Sequence, residues 1–163
     1  MTFFCNIKEY PIEKTNCKIS PHALAGHQAK MAAETQNVVV LHSRPGVDKP
    51  PSESNFALER RKIPECKEGE ILVKTLYLSV DPYMRCRMNE DSGTNYLTPW
   101  SIGEAPIGGG VGQVIHSRSE KFHEGDIVQS GGWPWQEFSV FPASGDPTLQ
   151  KVNKLRSSVV NLK

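Results

Sequence analysis

One long apolar segment and the turn that ends it constrain the fold of this chain most. From Glu70 to Val80 the residues are mostly apolar or β-branched and carry little charge, which predicts a strand covered on both faces. Asp81-Pro82 ends this strand, because proline has no N–H for a ladder and disfavours helix at the residue before it. Asp81 can also cap the turn that follows. The sequence therefore predicts a rigid strand that meets a loop at Tyr83, where we expect functional residues.

Short segments of strand character recur along the rest of the chain, and turn residues separate them. This spacing predicts a mainly β domain, either a barrel or a sandwich, in which helix is scarce. The predicted strands cover residues 38–43, 56–62, 70–80, 110–117, 126–130 and 137–142.

Length and charge exclude several classes of protein. A chain of 163 residues is long enough for one ordinary domain with its own core. Its net charge of +1 gives no electrostatic reason to expect a nucleic-acid partner. No apolar stretch approaches the roughly 20 residues of a membrane span, and charged residues interrupt any N-terminal signal pattern. We therefore expect a cytoplasmic protein whose partner is a small molecule or another protein.

The two ends of the chain differ from the central segment. Residues 1–30 mix proline, lysine, histidine and glutamine without a period, so we predict a mobile N-terminal extension over 1–36. Met31 leads directly into the first predicted strand, so either Met1 or Met31 could be the start, which mass spectrometry of the native N-terminus would decide. The domain is predicted over 37–154, and 155–163 form a divergent tail.

The cysteines and glycines give no cofactor motif. Cys5, Cys17, Cys66 and Cys86 are widely spaced and form no C-x-x-C pair, which indicates free thiols and no structural zinc. The glycine run at 108–112 lacks the G-x-G-x-x-G pattern, and a strand pattern follows it instead of a helix. We interpret these glycines as a β-bulge or as close packing of strands. Close approach of a ligand to the backbone is the alternative.

The segment Leu76-Tyr-Leu-Ser-Val-Asp-Pro-Tyr-Met-Arg-Cys-Arg-Met88 resembles the N-terminal domain of the zinc-independent medium-chain reductases. The resemblance runs from about residue 38 to 151, and it includes Ser43-Arg-Pro-Gly46, the glycine run and Trp133-Pro-Trp135. It implies a GroES-like, partly open β-barrel with short helices. It also implies no metal, because the ligands of zinc-dependent relatives have no counterpart here. The nucleotide-binding Rossmann domain that follows the barrel in this family is lacking from the sequence.

The family resemblance implies an activity. Members of this kind use NADPH to reduce the carbon–carbon double bond of an enone, here a lipid such as a 15-oxoprostaglandin. Because the lacking domain carries most NADPH contacts, we expect this chain alone to bind NADPH weakly and to be inactive. The alternative is a non-catalytic truncated isoform that binds a lipid or a protein. The oligomeric state stays open, and a monomer is one possibility.

The resemblance also implies candidate site residues. Tyr96 matches a family tyrosine in the substrate cleft; its alternative is a surface-loop tyrosine. Tyr83 would meet the nicotinamide of the cofactor, or else pack in the core. Gly131, Gly132 and Trp133 would line the substrate side, although Trp133 could instead be a core aromatic. The family has bulky residues before Trp-Pro-Trp, so the two glycines predict a wider pocket. No residue stands out as a catalytic acid or base.

Two arginines follow Tyr83 in the sequence, Arg85 and Arg87. They could attract a carboxylate or a phosphate. Arginines at a turn are more often solvated or paired with neighbouring acids, here Glu90 and Asp91. We therefore leave both arginines out of the candidate site.

Overall fold

The structure, a computed structural model, describes residues 3–6 and 35–152. The strands that the sequence predicts at 56–62 and 70–80 have these bounds in the structure, whereas β5 and β6 extend beyond the predicted segments. The elements are β1 (Phe3–Asn6), β2 (Thr35–Leu41), a 3₁₀ turn (Glu53–Asn55), β3 (Phe56–Lys62), β4 (Glu70–Val80), α1 (Tyr83–Arg87), β5 (Ile107–Ser117), β6 (Ile127–Pro134), β7 (Phe138–Pro142) and β8 (Gln150–Lys151).

The strands form two antiparallel sheets. A six-stranded sheet has the order β1-β4-β5-β6-β8, and β7 also pairs with β4. β2 and β3 form a separate hairpin, which joins the larger sheet through the bridge between Val38 and Gln136. This architecture confirms the prediction of a mainly β domain. Among the residues that the structure describes, no helix is long and apolar enough to cross a membrane.

The main core lies inside the six-stranded sheet and is centred on Trp133. This side chain is 0% exposed, and its indole N–H donates to Thr75 Oγ1 at 2.9 Å. Its ring packs against Phe141 with the centroids 4.7 Å apart. The core-aromatic alternative describes the position of Trp133, and its role as a substrate contact stays a prediction that this burial does not favour. The indole is buried because β6 turns this residue inward, between β4 and β7.

The N-terminal boundary differs from the prediction. Residues 3–6, which we expected in a mobile extension, form β1 and pair with β4. Thr35 and Gln36 already belong to β2, and Gln36 is only 2% exposed. The rest of the predicted extension lies outside the described residues, as does the predicted tail at 155–163. Strand pairing at the chain start is a tertiary contact, which the irregular local composition gave no reason to expect.

Candidate functional site

The turn after β4 is tied to β5 by one buried serine. Ser79 is 4% exposed, and its hydroxyl donates to Asp81 Oδ2 at 2.7 Å. The same hydroxyl oxygen accepts the backbone N–H of Gly109 at 3.0 Å. The two bonds satisfy a hydroxyl that would otherwise be buried without partners. As a result, the position of the Asp81-Pro82 turn is fixed relative to the start of β5.

Tyr83 opens α1 directly after this turn and is 36% exposed. Partial burial raises the pKa of its phenol, and the neighbouring charge of Asp81 raises it further, although Arg87 acts in the opposite direction. Both effects penalise the phenolate form. The Tyr83 hydroxyl therefore keeps its proton at neutral pH and can donate a hydrogen bond to a ligand.

Gly131 and Gly132 form a β-bulge. Gly108 pairs with Trp133 and Gly110 pairs with Ser130, so two residues of β6 oppose the single residue Gly109. The bulge thus lies next to the glycine whose N–H binds Ser79. The structure therefore brings the predicted residues Tyr83, Gly131 and Gly132 to one end of the sheet. Of the two roles inferred for the glycine run, a bulge or close packing, the bulge lies opposite the run with its extra residue in β6.

A polar network holds the bulge in place. The N–H groups of Gly131 and Gly132 donate to Thr148 Oγ1 and Ser130 Oγ, both at 3.0 Å. Both hydroxyls donate to the Asp146 carboxylate, at 2.7 and 3.0 Å. Burial acts to raise the pKa of Asp146, but the hydrogen bonds from Thr148 and Ser130 outweigh it and lower the pKa below its usual value. The carboxylate is therefore ionised at neutral pH and anchors the network.

The glycines of β5 are closely surrounded by other atoms, whereas the two glycines of the β6 bulge are not. A Cβ on Gly108 would lie 2.1 Å from the Met84 methyl carbon, and one on Gly110 would lie 2.2 Å from Trp133 Cγ. In contrast, a Cβ on Gly131 or Gly132 would meet no atom closer than 3.7 Å. Packing against the buried Trp133 indole therefore requires glycine at 110 and 112, whereas the Met84 methyl next to Gly108 is the flexible end of a side chain. The glycines of the bulge leave open space on an exposed backbone.

Tyr96 lies apart from these residues in the interactions that the structure records. Its side chain is 81% exposed, on the loop between α1 and β5. The hydroxyl of Ser92 donates to the carbonyl groups of Thr94 and Leu97, so this loop has its own internal support. The role of Tyr96 in substrate binding stays a prediction.

Arg85 and Arg87 bind backbone carbonyls around α1. Arg85 donates to carbonyl groups of the loop at 46–49. Arg87 donates to the carbonyls of Thr98 and Ile107, and its guanidinium lies 5.3 Å from the ring centroid of Trp100. Our expectation of solvated or acid-paired arginines is therefore wrong. The two side chains hold the surrounding loops, because an arginine fork can satisfy several carbonyl groups at once.

A groove of about 410 Å³ borders the same end of the sheet. Its lining combines apolar side chains with charged ones, and Ile107 pairs with Pro134 where β5 and β6 meet it. Arg61, which also lines the groove, is held by Glu59 at 2.8 Å. The groove is open to solvent and carries three charged residues, Arg61, Arg87 and Glu104, so its shape alone does not identify a ligand.

Few local patterns in the sequence indicate the residues that organise this end of the sheet. Ser79 reads as an ordinary strand residue, and only its position two residues before Asp81 hints at a local hydrogen bond. Asp146-Pro147-Thr148 is a recognisable turn pattern. Its link to the bulge depends on tertiary contacts that no local pattern reveals.

The described residues contain no group of three or more histidine, cysteine, aspartate or glutamate side chains that could hold a metal ion. Cys66 and Cys86 are free of disulfides. Burial raises the pKa of the Cys66 thiol, and the charge of Glu70 raises it further. A thiol of this kind is a poor nucleophile at neutral pH.

The fold is that of the GroES-like N-terminal domain of an oxidoreductase. The family described as the N-terminal domain of oxidoreductase matches residues 38–152, so the chain belongs to this family. The match places it among the zinc-independent medium-chain reductases and confirms the GroES-like fold that the sequence implied.

Two relatives and one crystal structure show what this chain is similar to. The NADPH-dependent curcumin reductase of Escherichia coli is 39% identical over 111 residues, which cover 68% of this chain and 30% of that protein. Prostaglandin reductase 1 of Bos taurus is 33% identical over 90 residues, 55% of this chain and 25% of that protein. CurA from Vibrio vulnificus in complex with NADPH has a TM-score of 0.63 and 35% identity, over 74% of this chain and 34% of CurA.

The chain thus spans about a third or less of the length of these relatives.

Proposed function

We propose that this chain forms the substrate-side half of an NADPH-dependent reductase that acts on the carbon–carbon double bond of an enone. One structural observation carries this proposal. The Ser79 hydroxyl joins Gly109, beside the open bulge, to Asp81, beside the protonated phenol of Tyr83. The phenol of Tyr83 keeps its proton and follows a turn that Ser79 anchors, so its hydroxyl can donate to the carbonyl oxygen of a substrate.

The described residues fit one end of the cofactor. NADPH, when bound, supplies the hydride that reduces the β-carbon of an enone. Tyr83 is suited to pack on the nicotinamide, because its ring is partly exposed at a rigid strand end. A helix of α1's five residues is too short to serve as a pyrophosphate site, and Arg85 and Arg87 are occupied by carbonyl groups. We therefore propose that this chain alone does not bind NADPH tightly and is inactive.

The substrate that we propose is a lipid enone of the 15-oxoprostaglandin type, in a protein resembling prostaglandin reductase 2. Leu76–Met88 carries this finer resemblance, and the similarity to prostaglandin reductase 1 supports it. Tyr96 would bind the polar end of the ligand. The open space at Gly131 and Gly132 would leave the pocket wide, since no side chain occupies the bulge. We further propose a cytoplasmic location.

The experiment is a pair of titrations with the full chain. We expect a 15-oxoprostaglandin to shift the tyrosine NMR signals, and Tyr96→Phe to weaken binding about fivefold, the effect of losing one hydrogen bond. Tyr77→Phe, which alters an exposed tyrosine on β4, is the matched control. We expect Gly132→Tyr to tighten binding by filling the space at the bulge. If the wild type, Tyr96→Phe and Gly132→Tyr all bind the enone with equal affinity, the assignment of the substrate site is contradicted.

NADPH titration tests the other half of the proposal. With or without the enone, we expect neither tight NADPH binding nor turnover by this chain alone. Tight NADPH binding or turnover by this chain alone would contradict the proposal that it is inactive without a further domain.

A second candidate is a non-catalytic isoform that binds a lipid or a partner protein. Tyr77, Val80 and Ile107 favour it, because these large side chains are 38–45% exposed near one end of the sheet. Large apolar side chains that stay exposed are available to a lipid or a partner protein. Lipid binding without any effect of Tyr96→Phe, together with no NADPH binding, would favour this second function.

A further inference from the structure

The loop that carries Tyr96 is closed at its base. It covers residues 89–99, between α1 and the buried Trp100. The Trp100 N–H donates to the carbonyl of Arg87 at 2.7 Å, so the two ends of the loop meet. A compact surface loop of about 6–16 residues whose ends lie close together is an Ω-loop, and such loops are frequently functional. The placement of Tyr96 therefore depends on the base of its loop.

Arg44 binds both ends of this loop. Its Nη1 donates to the carbonyls of Met88 and Asn89 at 2.8 and 2.7 Å, and its Nη2 donates to the carbonyl of Trp100 at 3.0 Å. The planar guanidinium holds these donors in a rigid fork, so it fixes the positions of the acceptors relative to one another. A charged donor also makes each of these bonds stronger than a neutral one would. Arg44 thus joins the residues before the loop to the residue after it.

Arg85 holds the segment that carries Arg44. Its Nη2 donates to three carbonyl groups of residues 46–49, which follow Arg44 in the sequence. Its Nη1 donates to Asn89 Oδ1 at 2.7 Å, at the start of the loop. The two arginines therefore bind in opposite directions, one from the segment to the loop base and one from α1 to the segment. This reciprocal arrangement keeps the Arg44 fork in register with its acceptors.

The hydrogen bonds inside the loop fix its shape, whereas those at the base fix its direction. The Ser92 hydroxyl bonds two carbonyl groups further along the same loop. At the base, Arg87 also binds the carbonyl of Thr98. The side chain of Tyr96 is 81% exposed, so packing does little to hold it. Where its hydroxyl stands relative to α1 is therefore set mainly by the arginines at the base.

We propose that Arg44 is a positioning residue, which closes the base of the 89–99 loop and thereby sets where Tyr96 meets an enone. Arg44 acts through Tyr96 and does not touch the ligand. This role rests on the proposed function, in which Tyr96 binds the polar end of the substrate. It also gives a physical reason for the arginine in Ser43-Arg-Pro-Gly46. Lysine keeps the charge at this position but cannot reproduce the fork, so Arg44→Lys is the decisive variant.

The first test is amide hydrogen exchange in the full chain. In Arg44→Lys we expect the Trp100 amide proton to exchange about tenfold faster or more, because the loop base opens without breaking the arginine bonds. The Val114 amide, which bonds a backbone carbonyl in the main core, reports global unfolding and should change less. Arg118→Lys, which removes a guanidinium bound to Glu68, is the matched control. Unchanged exchange at Trp100 in Arg44→Lys would overturn the proposal.

The second test separates positioning from a merely structural role. We expect Arg44→Lys to weaken binding of a 15-oxoprostaglandin about threefold, since the hydrogen bond of Tyr96 is misaligned but not removed. In the Tyr96→Phe background the same substitution should cause no further loss. A structural effect that does not pass through Tyr96 would weaken binding by the same factor in both backgrounds. Such additive losses would overturn the positioning role.

The two tests also distinguish this proposal from the proposed function. If Tyr96→Phe binds the enone as the wild type does, the proposed function is wrong about Tyr96. Unchanged exchange at Trp100 contradicts only the closure of the loop by Arg44. Arg85→Lys is the second variant, and by loosening residues 46–49 it should raise the exchange at Trp100 in the same direction. The near-ultraviolet spectrum of the buried Trp133 checks that each variant keeps its core.

Discussion

Ser79 is the residue on which the geometry of the candidate site depends most. We expect Ser79→Ala to lower the free energy of unfolding by about 1–3 kcal/mol, because Asp81 loses a donor and the half-buried Gly109 N–H loses its acceptor. Chemical denaturation measures this change. Ser117→Ala, which removes a hydroxyl bonded only within its own turn, is the control and should cost less. Equal costs would mean that Ser79 has no special role.

At the residue scale, Asp126 should also give the stability a pH dependence. Lys151 Nζ lies 2.8 Å from Asp126 Oδ2, and its hydrogen bond lowers the pKa of that carboxyl. A lowered pKa in the folded state stabilises the fold above the unfolded pKa of about 3.9, and this contribution is lost as the pH falls through the folded value. Asp126→Asn should therefore destabilise the protein at neutral pH.

Denaturation of the wild type and Asp126→Asn at several pH values tests this expectation. The difference between the two proteins should shrink below about pH 4, where the wild-type carboxyl becomes protonated. A difference that stays constant down to pH 2 would mean that the charge of Asp126 contributes nothing.

At the scale of elements, β5 and β6 should differ in how much stability a glycine-to-alanine substitution costs. We expect Gly110→Ala to destabilise the domain by about 1–3 kcal/mol or more, because the new methyl group would overlap Trp133. Gly132→Ala should leave the stability within about 1 kcal/mol of the wild type, since its Cβ meets open space. Thermal unfolding of the two variants provides the comparison. Similar losses in both would contradict the packing difference between the strands.

The same two elements show what the sequence could and could not predict. The bounds of β4 followed from its apolar run and from Asp81-Pro82, because both signals are local. The bulge at Gly131 and Gly132 could not be predicted from the sequence, because it depends on the register of β6 against β5. Tyr83 was placed correctly at a strand end for the same local reason. The burial of Trp133 depends on the strands that surround it, and its sequence neighbours carry no information about them.

At the scale of the whole molecule, Gln36 joins the hairpin of β2 and β3 to the larger sheet. Its side-chain oxygen accepts the N–H of Phe138 in β7 at 2.8 Å, and the residue is almost fully buried. We expect Gln36→Ala to lower the free energy of unfolding by about 1–3 kcal/mol, because the Phe138 N–H is left without this acceptor. Thr35→Ala, which removes an exposed hydroxyl that bonds Arg60 within the hairpin, is the control.

The Gln36→Ala substitution should also make the two sheets unfold in separate transitions. Trp100 and Trp135 pack with Leu41 of β2, whereas Trp133 belongs to the core of the larger sheet. In the wild type, tryptophan fluorescence and far-ultraviolet circular dichroism should follow one transition, as in a two-state domain. In Gln36→Ala we expect the two signals to diverge, because the hairpin loses an attachment to the larger sheet. Coincident transitions in the variant would show that the remaining contacts, such as Val39 N–H to the Trp135 carbonyl and the Asn37 amide to the Glu137 carboxylate, suffice to couple the sheets.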